Sequence, residues 1–341
     1  MDKNSKSNEL QIFAELDRLV QSGSMPAKYH ELLRHFYEQV RLALDEAHRP
    51  LEPFYRQFAQ FLQLIKEQIR APYNFQPYHQ KIRKPFDYYQ FSLDFIRQLI
   101  DLPRSRIVGL DIATQIEAQL KNKENVVFFA NHQTETDPHA IAILLERTHP
   151  HLAENIIYVA GERVVTDPLA IPFSMGCNLL CIYSKRYIDH PIELKTKKQM
   201  HNKHTMEKMS RLLSEGGKAI YVAPSGGRDR RNAEGIIEVA PFDPHSIEMF
   251  YLMARKAKTV THFYPLTLAT YELLPPPETI QVELGEKRSA HFTPIHLSFS
   301  PEIDMESFPG SEESDKNERR KKRAFAFWNV VNQEHQRLIT L

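Results

Sequence analysis

The chain has only two cysteines, Cys177 and Cys181, both within one apolar stretch. So sparse a pair builds no disulfide framework and predicts buried thiols in a reducing compartment. Nowhere does the sequence approach the roughly 20 consecutive apolar residues of a membrane-spanning helix. Its first residues, MDKNSKSNEL, carry neither the apolar core of a signal peptide nor an Arg-rich transit pattern. These absences predict a cytoplasmic protein without a transmembrane segment, whose contact with lipid is at most peripheral. An excess of charge of one sign is also missing: 44 Lys and Arg stand against 43 Asp and Glu, a formal net charge of +1. That balance argues against a dedicated nucleic-acid binder. Neither Gly-x-Gly-x-x-Gly nor Gly-x-x-x-x-Gly-Lys-Ser/Thr occurs, so no nucleotide site is read. His201 and His204, set among lysines, are too few for a metal site. No residue pattern asks for a cofactor.

What is present is an ordinary globular composition, 42% hydrophobic and 26% charged. Leu16, Leu19 and Val20, then Leu32, Leu33, Phe36, Tyr37 and Val40, then Phe54, Phe58, Phe61, Leu62 and Ile65 recur at helical spacing. Pro26, Pro50, Pro53, Pro72 and Pro77 fall between these stretches, where proline is tolerated. Residues 1–77 therefore read as a small antiparallel helical bundle. Over 78–341 the pattern changes. Short apolar runs at 126–130, 156–160, 179–183, 219–223 and 260–268 alternate with amphipathic segments around 138–147, 193–215 and 244–257. This alternation predicts an α/β domain with a mixed, largely parallel sheet. Runs at 280–284 and 295–299 are candidate further strands. The polar stretch 308–317 reads as a loop, and a charged helix over 315–338 closes the chain. Trp328 reads as core.

Three polar clusters follow predicted strands. After 126–130 comes Asn131-His132-Gln133-Thr134-Glu135-Thr136-Asp137-Pro138-His139. Loops beyond the carboxyl ends of parallel strands are where open α/β sheets hold their sites. A histidine there is suited to taking a proton near neutral pH, and a carboxylate five residues on could fold back to orient the ring. Asp137-Pro138 also reads as a helix start, with Asp137 as the cap and Pro138 in the first turn. The second cluster is Ala223-Pro224-Ser225-Gly226-Gly227-Arg228-Asp229-Arg230. Its paired glycines let the backbone approach a ligand, and Arg228 and Arg230 offer planar forks suited to phosphate. The third, Tyr183-Ser184-Lys185-Arg186-Tyr187, adds cations at the same end of the sheet. A His and an Asp with two groups of cations outline a pocket for an anionic nucleophile.

In these residues the chain resembles the soluble glycerol-3-phosphate 1-acyltransferases of plastids and some bacteria. The likeness runs from Pro85-Phe86-Asp87-Tyr88-Tyr89 to Pro301. His132 and Asp137 match the family's His-x4-Asp block. Val159-Ala160-Gly161-Glu162-Arg163-Val164, with Asp167-Pro168-Leu169, is similar to its second block. Ala223 through Arg230 match the phosphate-binding block, and Phe263-Tyr264-Pro265-Leu266 the last. The resemblance implies transfer of an acyl group from acyl carrier protein or acyl-CoA to the sn-1 hydroxyl of glycerol 3-phosphate. It implies His132 as base and Asp137 as its orienting partner, with Lys185, Arg186, Arg228 and Arg230 on the phosphate. Plastid members carry a Lys-His pair after Tyr-Ser-Lys; here Arg186-Tyr187 stand in that place, and Tyr187 brings no charge. The basic run with Lys195, Lys197, Lys198 and Lys203 is the expected dock for the acidic carrier. Three other readings remain at this stage: acylation of 1-acylglycerol 3-phosphate, a binding module using Lys195–Lys198 and Arg319–Arg323, and an interaction scaffold built on the bundle.

Overall fold

The computed structural model describes residues 3–184, 188–277 and 287–341. The first elements are the helices α1 (Lys3–Gln21), α2 (Ala27–Glu46) and α3 (Glu52–Arg70), which form the anticipated bundle. Their apolar faces meet in a seam of rings. Tyr37 lies 5.3 Å from Phe54 and 5.1 Å from Phe58 between ring centres. Large, close-packed rings of this kind dominate the burial energy of so small a unit.

The chain then runs through β1 (Tyr78–His79), α4 (Tyr88–Arg97), β2 (Arg106–Val108), α5 (Leu110–Lys121), β3 (Asn125–Ala130) and α6 (Asp137–Leu145). Next come α7 (Pro150–Asn155), β4 (Ile157–Ala160), α8 (Glu162–Thr166), α9 (Ile171–Ser174), β5 (Asn178–Cys181), α10 (Lys195–Glu215) and β6 (Ala219–Val222). A two-stranded ribbon, β7 (Arg230–Arg231) and β8 (Ile237–Glu238), leads into α11 (Pro244–Ala257), β9 (Thr261–Ala269), β10 (His296–Phe299) and α12 (Lys316–Leu338). The candidate strand at 280–284 lies outside the described residues. Elements β1, β2, α4 and α5 are not among the elements expected from the sequence. The stretch 308–317 turns as expected, with Phe308 buried, and Asp315 caps α12 by accepting from the N–H groups of Asn317 and Glu318.

Eight strands form one sheet in the order β1-β5-β4-β6-β3-β9-β10-β2. From β5 to β9 all neighbours are parallel, while β1 runs antiparallel to β5, β10 antiparallel to β9, and the edge strand β2 parallel to β10. The sheet is thus mixed and largely parallel. Strand β3 explains why its sequence is apolar without alternation: all of it is buried, on both faces. Val126, Phe128 and Ala130 point into the core shared with the bundle, α4, α5 and α6. Val127 and Phe129 point into the core beneath α10, α11 and α12. Successive side chains alternate between faces, so this central strand is apolar at every position from Val126 to Ala130. The first of these cores runs without a break from the rings of α2 and α3 to the sheet. Helix α10 ends at Gly216, whose φ of 74° and closeness to the Lys123 carbonyl leave no room for a side chain. Among the described residues, no helix is long and apolar enough to cross a membrane.

Candidate active site

Four neighbouring parallel strands, β4, β6, β3 and β9, end at the same edge of the sheet. The loop from Asn131 to Thr136 leaves β3 there and turns into α6. Asp137 is the first residue of that helix, with Thr136 at the cap position, so the expectation that Asp137 itself caps α6 is corrected. Its carboxylate folds back over the preceding loop. One oxygen accepts from the Gln133 N–H at 2.8 Å and faces His132 Nδ1 at 2.8 Å. The other accepts from the Thr134 N–H at 3.2 Å and the Thr270 hydroxyl at 2.7 Å. Asp137 is fully buried, and four partners satisfy a charge that would otherwise be very costly there. A carboxylate only accepts, so the bond to His132 requires a proton on Nδ1, and in the neutral ring this places the lone pair on Nε2. Among the described residues Nε2 has no hydrogen-bond partner. The His132 side chain retains 31% of its exposure and lines a cavity. A neutral imidazole so held can take a proton at Nε2, with the carboxylate stabilising the cation that results.

The flanking amides anchor this loop to its neighbours. Asn131 accepts from the Leu268 N–H and donates to the Leu268 carbonyl and to Asp229. Gln133 accepts from the N–H groups of Thr270 and Tyr271, and donates to Asp229 and to His335 of α12. Asp229 also accepts from the Ala240 N–H, and its own N–H donates to the His132 carbonyl at 2.6 Å. Burial pushes its carboxyl up to about 6, and the Ala240, Asn131 and Gln133 donors limit the rise. Burial likewise pushes His335 down to about 4, so at neutral pH the ring is uncharged and accepts from Gln133. The loop carrying Arg228 and Arg230 is therefore stitched to the backbone of His132.

Arg228 and Arg230 flank Asp229 and are both half-buried. Arg230 donates to the Pro277 carbonyl, and Arg228 lies close enough to Glu135 to stabilise its carboxylate. Lys185 and Arg186, like Tyr187, fall outside the described residues. Sequence reasoning gave Glu135 and Asp167 no role of their own and missed Arg288; the three form a largely buried ion cluster beside the cavity. Arg288 reaches Glu135 through two nitrogens and Asp167 at 3.2 Å. Burial acts to raise the Glu135 carboxyl, but Arg288 outweighs it and Arg228 adds to the effect, so the group sits below the ordinary carboxylate range. The basic run on α10 is only partly what it promised. Lys198 is 4% exposed and bound to Glu162 and the His190 carbonyl, so it belongs to no docking face. Lys195 pairs with Asp189, while Lys197 and Lys203 are exposed.

The cavity behind His132 has a volume of about 120 Å³. Glu135, Arg288 and His132 stand on its polar side; Ile96, Val164, Leu169 and Phe173 supply apolar wall. His139 and Cys177 also face it, 3.6 Å apart. Burial pushes His139 down to about 4 and the Cys177 thiol up to about 12, so this inner wall carries no charge at neutral pH. Among the described residues, no group of three or more His, Cys, Asp or Glu side chains is placed to hold a metal ion.

Residues 111–268 match the protein family described as Acyltransferase. The chain is 35% identical over 332 residues to the chloroplastic glycerol-3-phosphate acyltransferase of Arabidopsis thaliana, covering 96% of this chain and 72% of that protein. It is 36% identical over 339 residues to the chloroplastic enzyme of the same name from Spinacia oleracea, covering 98% of this chain and 71% of the relative. With the one from Pisum sativum the identity is 35% over 334 residues, at 96% and 72% coverage.

Proposed function

Because the chain belongs to the glycerol-3-phosphate acyltransferase family, we propose that it acylates glycerol 3-phosphate at its sn-1 hydroxyl, with His132 as the base. The observation that carries the assignment of roles is the His132–Asp137 pair, oriented by four hydrogen bonds to one carboxylate and opening on a cavity with an apolar wall.

In this reading the hydroxyl oxygen attacks the carbonyl carbon of an acyl thioester while its proton passes to His132 Nε2. The carbon–sulfur bond breaks, and the same proton leaves on the departing thiol. Asp137 holds the Nδ1 proton in place and offsets the transient positive charge, as the third member of a serine triad does. The acceptor alcohol attacks directly, so no enzyme nucleophile is required. Arg228 and Arg230 bind the phosphate, and the acyl tail occupies the cavity. Nothing charged at neutral pH stands on the inner wall to be desolvated by it. Acyl carrier protein serves as donor as well as acyl-CoA does, steered by the exposed Lys197 and Lys203.

Purified protein given glycerol 3-phosphate or 1-acylglycerol 3-phosphate, with one long-chain donor, tests the acceptor. Only the first should be acylated, at the hydroxyl farthest from the phosphate. Diacylated product would assign the alternative acceptor. Arg228→Ala should raise the KM for glycerol 3-phosphate roughly ten- to a hundred-fold, the loss of one charge-assisted hydrogen bond. The donor KM should stay nearly constant; equal changes in both would place the phosphate elsewhere.

A further inference from the structure

We infer that the N-terminal helical bundle sets the length of acyl chain this enzyme accepts, through Phe36 and Phe61, which close the far end of the cavity. The inference rests on the reading that the acyl tail occupies that cavity. The cavity is not enclosed by the acyltransferase segment alone. Phe36 of α2 and Phe61 of α3 line it together with Ile96 of α4 and Phe173 of α9. His132 keeps part of its exposure, whereas Phe36 and Phe61 are 3% and 1% exposed. The opening is thus at the strand ends and the floor is in the bundle.

Size then decides what the floor must do. A cavity of about 150 Å³ in another protein holds one benzene. At about 120 Å³, this one accommodates only a short stretch of hydrocarbon before the tail meets aromatic rings. Those rings are not loosely placed. Phe61 lies 5.2 Å from Phe173 and 5.4 Å from Phe95 between centres, and Phe36 6.5 Å from Phe61 and 6.1 Å from Phe95. Core side chains at such density have little free space to turn into, so any longer tail advances only as far as this cluster yields. Each methylene that does find apolar surroundings favours binding about fourfold. A floor that yields a little more or less therefore decides which chain lengths are used. Phe36 and Phe61 both lie outside residues 111–268, the segment that matches the acyltransferase family. An unchanged reaction centre can in this way acquire a different length preference from bundle side chains alone.

The test measures kcat/KM across a ladder of saturated acyl thioesters of increasing length, on variants first shown by melting curves to fold. Phe61→Leu and Phe36→Leu should each raise the ratio of longest to shortest donor by about tenfold, with one or two further methylenes accommodated. Ile96→Phe, which narrows the same end, should lower that ratio. The KM for glycerol 3-phosphate should not move in any of them. Val164→Trp, on the cavity wall contributed by α8, should slow all donors alike. If Val164→Trp acts but the three floor variants leave the length profile unchanged, the cavity reading stands and the role of the bundle is overturned. If Val164→Trp and the floor variants leave every donor unaffected, the tail does not enter this cavity and both readings fall.

Discussion

The two ends of the cavity are held by different physics. At the mouth, Asn131, Gln133, Asp137, Asp229 and Thr270 are buried polar groups, joined to one another and to backbone N–H and carbonyl groups. Hydrogen bonds are directional, so this end has one geometry, and an orphaned member costs on the order of 1–3 kcal/mol. At the floor, Phe36, Phe61, Phe95 and Phe173 meet ring to ring. Apolar burial is non-directional and nearly proportional to area, so that end tolerates exchange of one hydrophobe for another of similar volume. The mouth is held in one geometry by its hydrogen bonds; side chains at the floor can be exchanged without breaking any of them.

The sharpest way to break this contrast is at the mouth. His132→Ala should lower kcat by roughly 10²–10⁴-fold, the usual contribution of a general base, with the melting temperature nearly unchanged. Near-native turnover would remove His132 from the chemistry. Asp137→Asn should lose both kinds of support at once. It turns one accepting oxygen into an amide group facing either the Gln133 N–H and His132 Nδ1–H or the Thr134 N–H and the Thr270 hydroxyl. A large fall in kcat should come with destabilisation on the order of 1–3 kcal/mol, measurable by denaturant titration. Loss of activity without loss of stability would show that the network is less rigid than its hydrogen bonds imply.

Acid should act on the mouth and its surroundings before it acts on the aromatic floor. His139 and His335 are held near 4 when folded, against about 6.5 in an unfolded chain. Below about 6.5 the unfolded chain takes up protons that the folded one refuses. The stability these rings contribute is complete above that value and is lost as pH falls toward 4, with a slope of up to about 1.4 kcal/mol per pH unit for each ring. Asp229 works in the opposite sense: its contribution is complete below the ordinary carboxylate value and is lost as pH rises through about 6. His335→Gln keeps an acceptor for Gln133 and should flatten the acid limb of a plot of Tm against pH. An unaltered limb would show that the ring is not what the folded state keeps neutral.

The smallest effect is expected at the cysteines. Cys177 lines the cavity, yet burial pushes both thiols up to about 12, far from the thiolate needed for attack. Cys177→Ala and Cys181→Ala should retain most activity, and intact-mass measurement after donor alone should show no acyl adduct. A stable adduct lost in Cys177→Ala would move the chemistry from the mouth to the wall.

Much of this architecture was legible in the residues themselves. The apolar run of β3, the three helical periodicities of the bundle and the His132–Asp137 spacing are local patterns, and local patterns survive in one dimension. The same holds for α10, whose helical character was plain. Yet the burial of Lys198 was not, because it depends on Glu162 and the His190 carbonyl meeting it across a turn of chain. Asp137 as a cap failed for a related reason: the carboxylate found better donors in the loop behind it and in Thr270.

Sequence by itself determined the bundle helices, the central strands, the order of the strand-end clusters and the kind of groups they carry, since propensity and periodicity act between near neighbours. Tertiary structure alone decided which distant groups share a site. His335 reaches Gln133 from the last helix, Thr270 reaches Asp137 from just past β9, Arg288 gathers Glu135 and Asp167, and two rings of the bundle line a cavity that opens beside His132. Each of these contacts joins residues far apart in the chain through the pairing order of the sheet and the packing of its faces. That order is settled by burial summed over the whole core, a quantity no local pattern contains.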